Sequence, residues 1–300
     1  MEPSYYHGKF RQGAELSPHW CWFVDFVSEL PDVTHAPYLE SNDHCVKEPK
    51  KQWQFKWQGR IEKEFLFETV RAKALLPFTV QRSQLVFLPL MNHGDGIRIL
   101  QADELLKNGK LYAAQWLKGV RQASKTLSTN KSCPTENLAR NQALSTQDPK
   151  KKMVVLYNGS GSQPSAALYT SDCKPSSHET NGFIADHETY FYYPDSSEEG
   201  DYLCAILNSK PVINGLSNLR SSPSVRKKVT HCLPFEFVPV PRFDLDNPTH
   251  LSLAELGKEC RIALKPSGNQ VHKPRNCLSE RQLARNWSTK INKAVASVLR

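Results

Sequence analysis

Between Met153 and Asn208 the chain changes its hydrophobic period, and that change does most to set the fold class. The runs VVLY (154–157), AALY (166–169), GFIAD (182–186) and TYFYY (189–193) are short and rich in β-branched or aromatic residues, with Gly, Ser and Pro clusters between them. Such runs read as strands joined by turns. Residues 198–208, EEGDYLCAILN, then place Tyr202, Leu203, Ile206 and Leu207 at helical spacing behind acidic residues suited to a helix N-terminus, and Lys210-Pro211 reads as the stop. Strands followed by a helix in one segment predict an α+β fold of mixed sheets with packed helices.

The flanks extend this pattern. Trp53, Phe55 and Trp57 alternate with Gln54, Lys56 and Gln58, so 53–78 reads as extended or strand-like, as does SQLVFLPL (83–90). The triplet is read as one buried strand face in preference to a base-stacking platform. Residues 103–120 carry Leu105, Leu106, Leu111, Tyr112, Trp116, Leu117 and Val120 near helical spacing, with a break at Asn108-Gly109. The polar stretch 121–152 reads as a loop or weak helix in its middle. Asn247-Pro248 is an N-cap followed by Pro at the first helical position, and Leu253, Leu256, Cys260 and Leu264 give one apolar face. Ser279 with Gln282 forms a capping box before Leu283, Trp287, Ile291, Val295 and Val298, so an amphipathic helix is expected to close the chain. Three regions are expected: 1–150, a strand-helix core at 151–265, and a C-terminal helix at 266–300. No internal repeat recurs at a fixed period.

Composition narrows the function classes. No stretch approaches the roughly 18 apolar residues of a membrane span, Trp20–Val27 being short and interrupted by Asp25. The opening MEPSYYHGKF lacks a charged-then-apolar signal pattern, and a cytoplasmic location is expected. The eight cysteines form no CxxC pair, which removes the best sequence signal for a structural zinc and leaves them as small buried hydrophobes. GxxxxGK[ST], GxGxxG after a strand, HExxH and GxSxG are all missing, so nucleotide hydrolysis, dinucleotide redox chemistry and the common hydrolases lose their characteristic patterns.

Charge points the other way, toward an anionic partner. Lys and Arg number 39 against 30 Asp and Glu, a net charge of +9. The basic residues cluster at Lys47, Lys50, Lys51, Lys56 and Arg60; at Arg71, Lys73 and Arg82; at Lys150 to Lys152; and at Arg220, Arg226, Lys227 and Lys228. Nucleic acid suits such a surface, and so does plain solvation of lysines. Asn158-Gly159-Ser160-Gly161-Ser162 follows the strand VVLY and could present backbone N–H groups to a phosphate, or be an ordinary turn. Pro31-Asp32 followed by Glu48-Pro49-Lys50 matches the PD…ExK arrangement of a metal-dependent nuclease, with Asp32 and Glu48 as metal ligands and Lys50 assisting. Pro49 weakens the match by removing a ladder donor from the strand this chemistry uses.

Several segments together resemble the C-terminal target-recognition region of N-6 adenine-specific DNA methyltransferases of the single-chain restriction-modification type. They are SYYHGKFRQGAELSP (4–18), WQGRIEKEFLFETVRAKALLPF (57–78) with SQLVFLPL, VVLYNGSGSQPSAALY (154–169), NGFIADHETYFYY (181–193) with EEGDYLCAILNS (198–209), and HCLPFEFVPVPRFD (231–244) with NPTHLSLAELGKEC (247–260). The resemblance implies a module that docks on duplex DNA and reads a target sequence for a methyltransferase domain acting on a flipped adenine. The catalytic signature [ND]PP[YF] is absent, DNPTH (246–250) being a different tetrapeptide context, so the resemblance implies that S-adenosylmethionine is bound by a partner catalytic domain or subunit. It also places the DNA contacts at the post-strand turn, Asn158, Ser160 and Ser162, and in the loop after the ILNS helix, Arg220, Arg226, Lys227 and Lys228. The family's loop there tends to bear glycine, where this chain has Ser221-Ser222-Pro223-Ser224. The rival readings are the PD…ExK nuclease and a non-functional remnant of a methyltransferase gene.

Overall fold

The computed structural model describes residues 4–27, 35–47, 54–93, 96–127, 134–158, 165–171, 179–220, 233–264 and 277–299. The chain begins with β1 (Arg11–Gln12), α1 (His19–Trp22), β2 (Phe23–Phe26), β3 (Tyr38–Ser41), α2 (Asp43–Lys47) and β4 (Gln58–Arg60). It continues through β5 (Leu66–Thr69), β6 (Leu75–Leu76), β7 (Thr79–Val80), β8 (Gln84–Phe87), β9 (Leu90–His93) and β10 (Gly96–Ile99) to α3 (Ala102–Lys107), α4 (Leu111–Leu127) and α5 (Pro134–Leu138). Then come β11 (Met153–Asn158), β12 (Ala166–Thr170) and β13 (Thr189–Tyr192). The chain finishes with α6 (Ser197–Leu207), α7 (Lys210–Arg220), α8 (Leu233–Phe237), α9 (Pro248–Ala263) and α10 (Cys277–Val298). This is the α+β architecture, with antiparallel sheets and packed helices, that the change of period predicts.

A five-stranded antiparallel sheet in the order β4-β3-β2-β8-β5 carries the first core. Trp22, Phe87 and Trp116 are buried in it, and the Trp116 indole N–H donates to the Cys21 carbonyl at 3.1 Å, so α4 is keyed to the sheet by a satisfied polar contact as well as by area. Glu62 supplies the acceptors at the start of α4, taking the Tyr112 and Ala113 N–H groups at 3.1 and 2.8 Å. A carboxylate at a helix N-terminus answers both the orphan donors and the helix dipole.

The second sheet, β1-β13-β11-β12, is covered on both faces. Val155 and Tyr157 of β11 pack with α6, α9 and α10, whereas Val154 and Leu156 pack with Leu75 and Val80 of the β6–β7 ribbon. Side chains of a strand alternate between faces, so burial of both faces demands a continuous apolar run, which is why VVLY shows no polar alternation. Residues 181–186 stitch the two sheets together. Glu68 N donates to Gly182 O and Ile184 N to Glu68 O, both at 2.8 Å, and on the far side Ala14 N donates to Ala185 O at 2.8 Å.

Several expectations are corrected. GFIAD is buried but forms only isolated bridges, Phe183 to Glu68 and Asp186 to Ala14, because the segment crosses between sheets instead of running along one. The 53–78 stretch is not one extended run: residues 54–57 carry no strand pairing, and β4, β5 and β6 are short pieces separated by 3₁₀ turns. Phe55 and Trp57 stack on each other with centroids 6.0 Å apart and pack against the first core, so their aromatic spacing serves burial without a strand. The helix at 103–120 splits as predicted at 108–109, but its second half extends to Leu127. The helix at 198–208 does stop before Lys210-Pro211, α6 ending at Leu207, but Pro211 does not close the helical region, since α7 opens at Lys210. Pro211 stands in the first turn of α7, where a missing N–H costs nothing. Finally, α10 starts at Cys277, two residues before Ser279.

Candidate nucleic-acid interface

The second sheet and α6 fix where the predicted contact loops leave the fold. Asn158 ends β11, and its side chain is buried: Oδ1 accepts the Ser165 N–H at 2.7 Å while the Asn158 backbone N–H donates to the Ser165 carbonyl at 3.1 Å. Asn158 therefore closes the base of the β11–β12 connection. One residue on, the Asn208 side chain grips the edge of β12 like a short strand, accepting from Ala166 N at 2.9 Å and donating to Ala166 O at 2.8 Å. Asn208 is also the C-cap of α6, so the ILNS sequence ties the helix end to the strand edge.

This corner leads directly into α7. Its Lys210 N–H donates to Asn292 Oδ1 of α10 at 2.8 Å, which brings the C-terminal helix to the same place. Arg220 is the last residue of α7, about 15 Å from Lys210 at 1.5 Å rise per residue, and belongs to a helix where the sequence reading puts a loop. Thus Asn158 and the start of α7 come together, and Arg220 stands at the far end of that helix. Ser160, Ser162, Arg226, Lys227 and Lys228 lie outside the described residues, as do Asp32, Glu48 and Lys50 of the nuclease reading.

Among the described residues, several cations of the other basic clusters are committed within the fold. Lys56 pairs with Glu40 and Asp43, each at 2.9 Å, and the Lys56 contact holds Asp43 below the usual carboxylate range. Arg60 donates to the Ala36 carbonyl at 2.9 Å. Arg71 is buried and donates to Glu188 at 3.0 Å; burial pushes that carboxyl up, and the guanidinium outweighs it and leaves Glu188 lowered. His187 sits 3.3 Å from the buried Asp186 carboxylate, which raises its pKa and favours the imidazolium, the form that lacks the lone pair a general base needs. Lys151 and Lys152 stay exposed.

A cavity of about 170 Å³ opens between β2 and β8, lined by Asp25, Asn42, Arg82 and Gln84 over Val24 and Leu85. Burial raises Asp25, and the Asn42 amide, 2.7 Å away, pulls it part-way back. Glu68 at its rear accepts from Ser83 and Tyr169 at 2.7 and 2.9 Å. Among the described residues no three His, Cys, Asp or Glu side chains are grouped to hold a metal ion, and no helix is long and apolar enough to cross a membrane.

One cationic group escapes the sequence reading. Residues 4–9 fold as a turn against the proline-rich segment before α9, with Tyr5 N donating to Val240 O at 2.9 Å. Lys9 Nζ lies 3.9 Å and Arg242 Cζ 5.5 Å from the centroid of the Tyr5 ring. The Tyr5–Lys9 spacing of four is visible in sequence, but Arg242 joins them only through tertiary packing.

No family model and no curated protein sequence matches the chain. Among solved structures the fold is similar to that of the Type IIL restriction-modification enzyme MmeI, determined in complex with DNA, with a TM-score of 0.54 and 13% sequence identity. The likeness covers 99% of this chain and 33% of that one, so the chain spans about a third of the enzyme it matches. At that identity the likeness is one of fold.

Proposed function

We propose that this chain is a DNA target-recognition module supplying sequence specificity to an adenine N-6 methyltransferase, whose catalytic domain and S-adenosylmethionine site lie on a partner domain or subunit. The observation that carries the reading is the fold likeness over 99% of the chain to a restriction-modification enzyme solved with DNA. The net charge of +9 supports it, since cations on the surface attract a phosphate backbone. In this reading Arg220 reaches the duplex from the end of α7, Arg226, Lys227 and Lys228 from the α7–α8 connection, Ser160 and Ser162 from the β11–β12 connection, and Asn158 holds the base of the latter in place.

Fluorescence anisotropy on a labelled duplex tests the reading. Binding is expected to weaken linearly on a plot of log K against log salt, with a slope of about −0.9 per neutralised phosphate. Replacing Arg226, Lys227 and Lys228 by Ala is expected to make that slope shallower by up to about 2.7. Absence of duplex binding at about 50 mM salt, where such contacts are strongest, overturns the proposal.

A further inference from the structure

The turn at residues 4–9 is built to hold two cations beside one exposed ring. Gly8 takes φ +75°, a left-handed conformation that reverses the chain, and His7 N and Lys9 N donate to Ser4 O and Tyr6 O at 3.1 Å each. The reversal carries Lys9 back over Tyr5. The second cation arrives on a separate segment, which is clamped to the turn at three points. Ser4 Oγ donates to Val240 O at 3.2 Å, Tyr5 N donates to the same carbonyl, and Phe243 N donates to the Tyr6 hydroxyl at 3.0 Å. Tyr6 itself is fully buried and donates to Glu199 at 2.8 Å. The neighbours of both cations are therefore fixed by the interior, and Lys9 and Arg242 are exposed.

Two like charges drawn to one ring repel each other, and among the described residues neither has an ion-pair partner. Asp244, two residues from Arg242, is turned elsewhere, its Oδ1 accepting from Asp246 N at 2.9 Å. Tyr5 is 36% exposed, and it is the charged ends of the two side chains, the Lys9 ammonium and the Arg242 guanidinium, that lie toward its ring on this exposed turn. A preorganised pair of uncompensated cations is complementary to a doubly approached anion, and a nucleic-acid backbone presents phosphates at regular spacing.

We propose that Lys9 and Arg242, held on either arm of the Tyr5 turn, form a phosphate-contact site for duplex DNA, separate from the loops after β11 and α7. The site rests on the reading of the chain as a DNA-binding module, and positions the duplex without reading its sequence. The combined variant Lys9→Gln, Arg242→Gln is expected to make the salt slope shallower by about 1.8 and to weaken duplex binding roughly 60-fold at 0.1 M salt, converging with wild type near 1 M. The weakening should be the same for any duplex sequence. A control variant with the same loss of charge on α4, Arg121→Gln with Lys125→Gln, is expected to keep the wild-type slope.

The outcomes separate the two claims. If the wild-type chain binds duplex with a steep salt slope and the Lys9/Arg242 variant retains that slope, the site is overturned and the DNA reading stands. An equal fall in the α4 control also overturns it, because net charge alone then accounts for the effect. If the wild-type chain binds no duplex, the functional reading fails and takes the site with it. Both side chains are exposed, so the melting temperature of the variant serves as the check that the fold is intact.

Discussion

Glu199→Ala is expected to lower stability by about 4 kcal/mol, the largest effect of any single substitution considered for this chain. Glu199 is buried at the start of α6 and collects three donors from two parts of the sequence: the Tyr6 hydroxyl at 2.8 Å from the distant N-terminal turn, and the Tyr192 hydroxyl at 3.1 Å and the Asp195 N–H at 2.6 Å from the segment just before it. Burial, with the Glu199 charge adding to it, pushes both tyrosines far above the usual phenol range, so both remain donors at every physiological pH. Removing the carboxylate leaves the buried Tyr6 hydroxyl and the half-buried Tyr192 hydroxyl without their acceptor, each at about 1 to 3 kcal/mol before relaxation, while the N–H of the exposed Asp195 can turn to water. At about 2.1 cal/mol/K of unfolding entropy per residue, the loss corresponds to a fall of roughly 6 °C in melting temperature. Glu199→Gln keeps one acceptor oxygen and should lose less. Calorimetry checks both, and an Ala variant melting within about 1 °C of wild type contradicts the account. Because Tyr6 also accepts the Phe243 N–H, the same variant should loosen the clamp that sets Arg242 beside Tyr5.

Gly257→Ala is expected to cost about 3 kcal/mol, at the upper end of what one inserted methyl does to a packed core. Helices α6 and α9 cross where Gly257 meets Asp201, and a methyl on Gly257 would stand 2.3 Å from the Asp201 carbonyl oxygen and 2.9 Å from its carbon. Backbone cannot rotate away as a side chain does, so the helices must part. The same Asp201 carries the clamp across this crossing, its carboxylate accepting two bonds from Arg261 at 2.7 Å each. Burial raises Asp201 and Arg261 draws it back, so a displaced helix loses a bidentate ion pair as well as close packing. A fall of roughly 5 °C in melting temperature is expected, and a midpoint unchanged within about 1 °C would show that α6 and α9 do not pack this closely.

These two sites also show which parts of the fold the sequence exposes. The strands β11, β12 and β13 and the helices α6 and α9 are readable because two-sided burial writes apolar runs, because Glu198 and Glu199 stand in the first turn of α6, and because Asn247 caps α9 through its side-chain acceptor. The same reading cannot see the Glu199 hub, since Tyr6 lies 193 residues from its partner. GFIAD misleads because burial and strand pairing leave the same composition. Helix α7 is hidden by Pro211, which stops a helix in its interior but not in its first turn.

The candidate interface divides in the same way. The sequence places Asn158 in the turn after a strand, whereas it is the last residue of β11 and its side chain is spent on Ser165. Lys47 and Lys56 look like part of a basic patch in sequence, but Lys56 pairs with Glu40 and Asp43, and Lys47 lies 3.7 Å from the same Asp43. Charge along the chain does not reveal which cations are already paired, whereas the Tyr5, Lys9 and Arg242 group emerges only once two distant segments meet.

The measurement that tests the central claim most directly is selection of duplexes from a pool with a randomised central stretch, using the wild-type chain at about 0.15 M salt, where loose backbone binding is weak. A target-recognition module should enrich one short sequence. Each changed base within it should weaken binding by about 1 to 3 kcal/mol, while the Lys9/Arg242 variant should select the same sequence with lower affinity. A pool that is retained by the chain yet stays random after repeated rounds would contradict target recognition and leave a protein that holds DNA by its backbone alone.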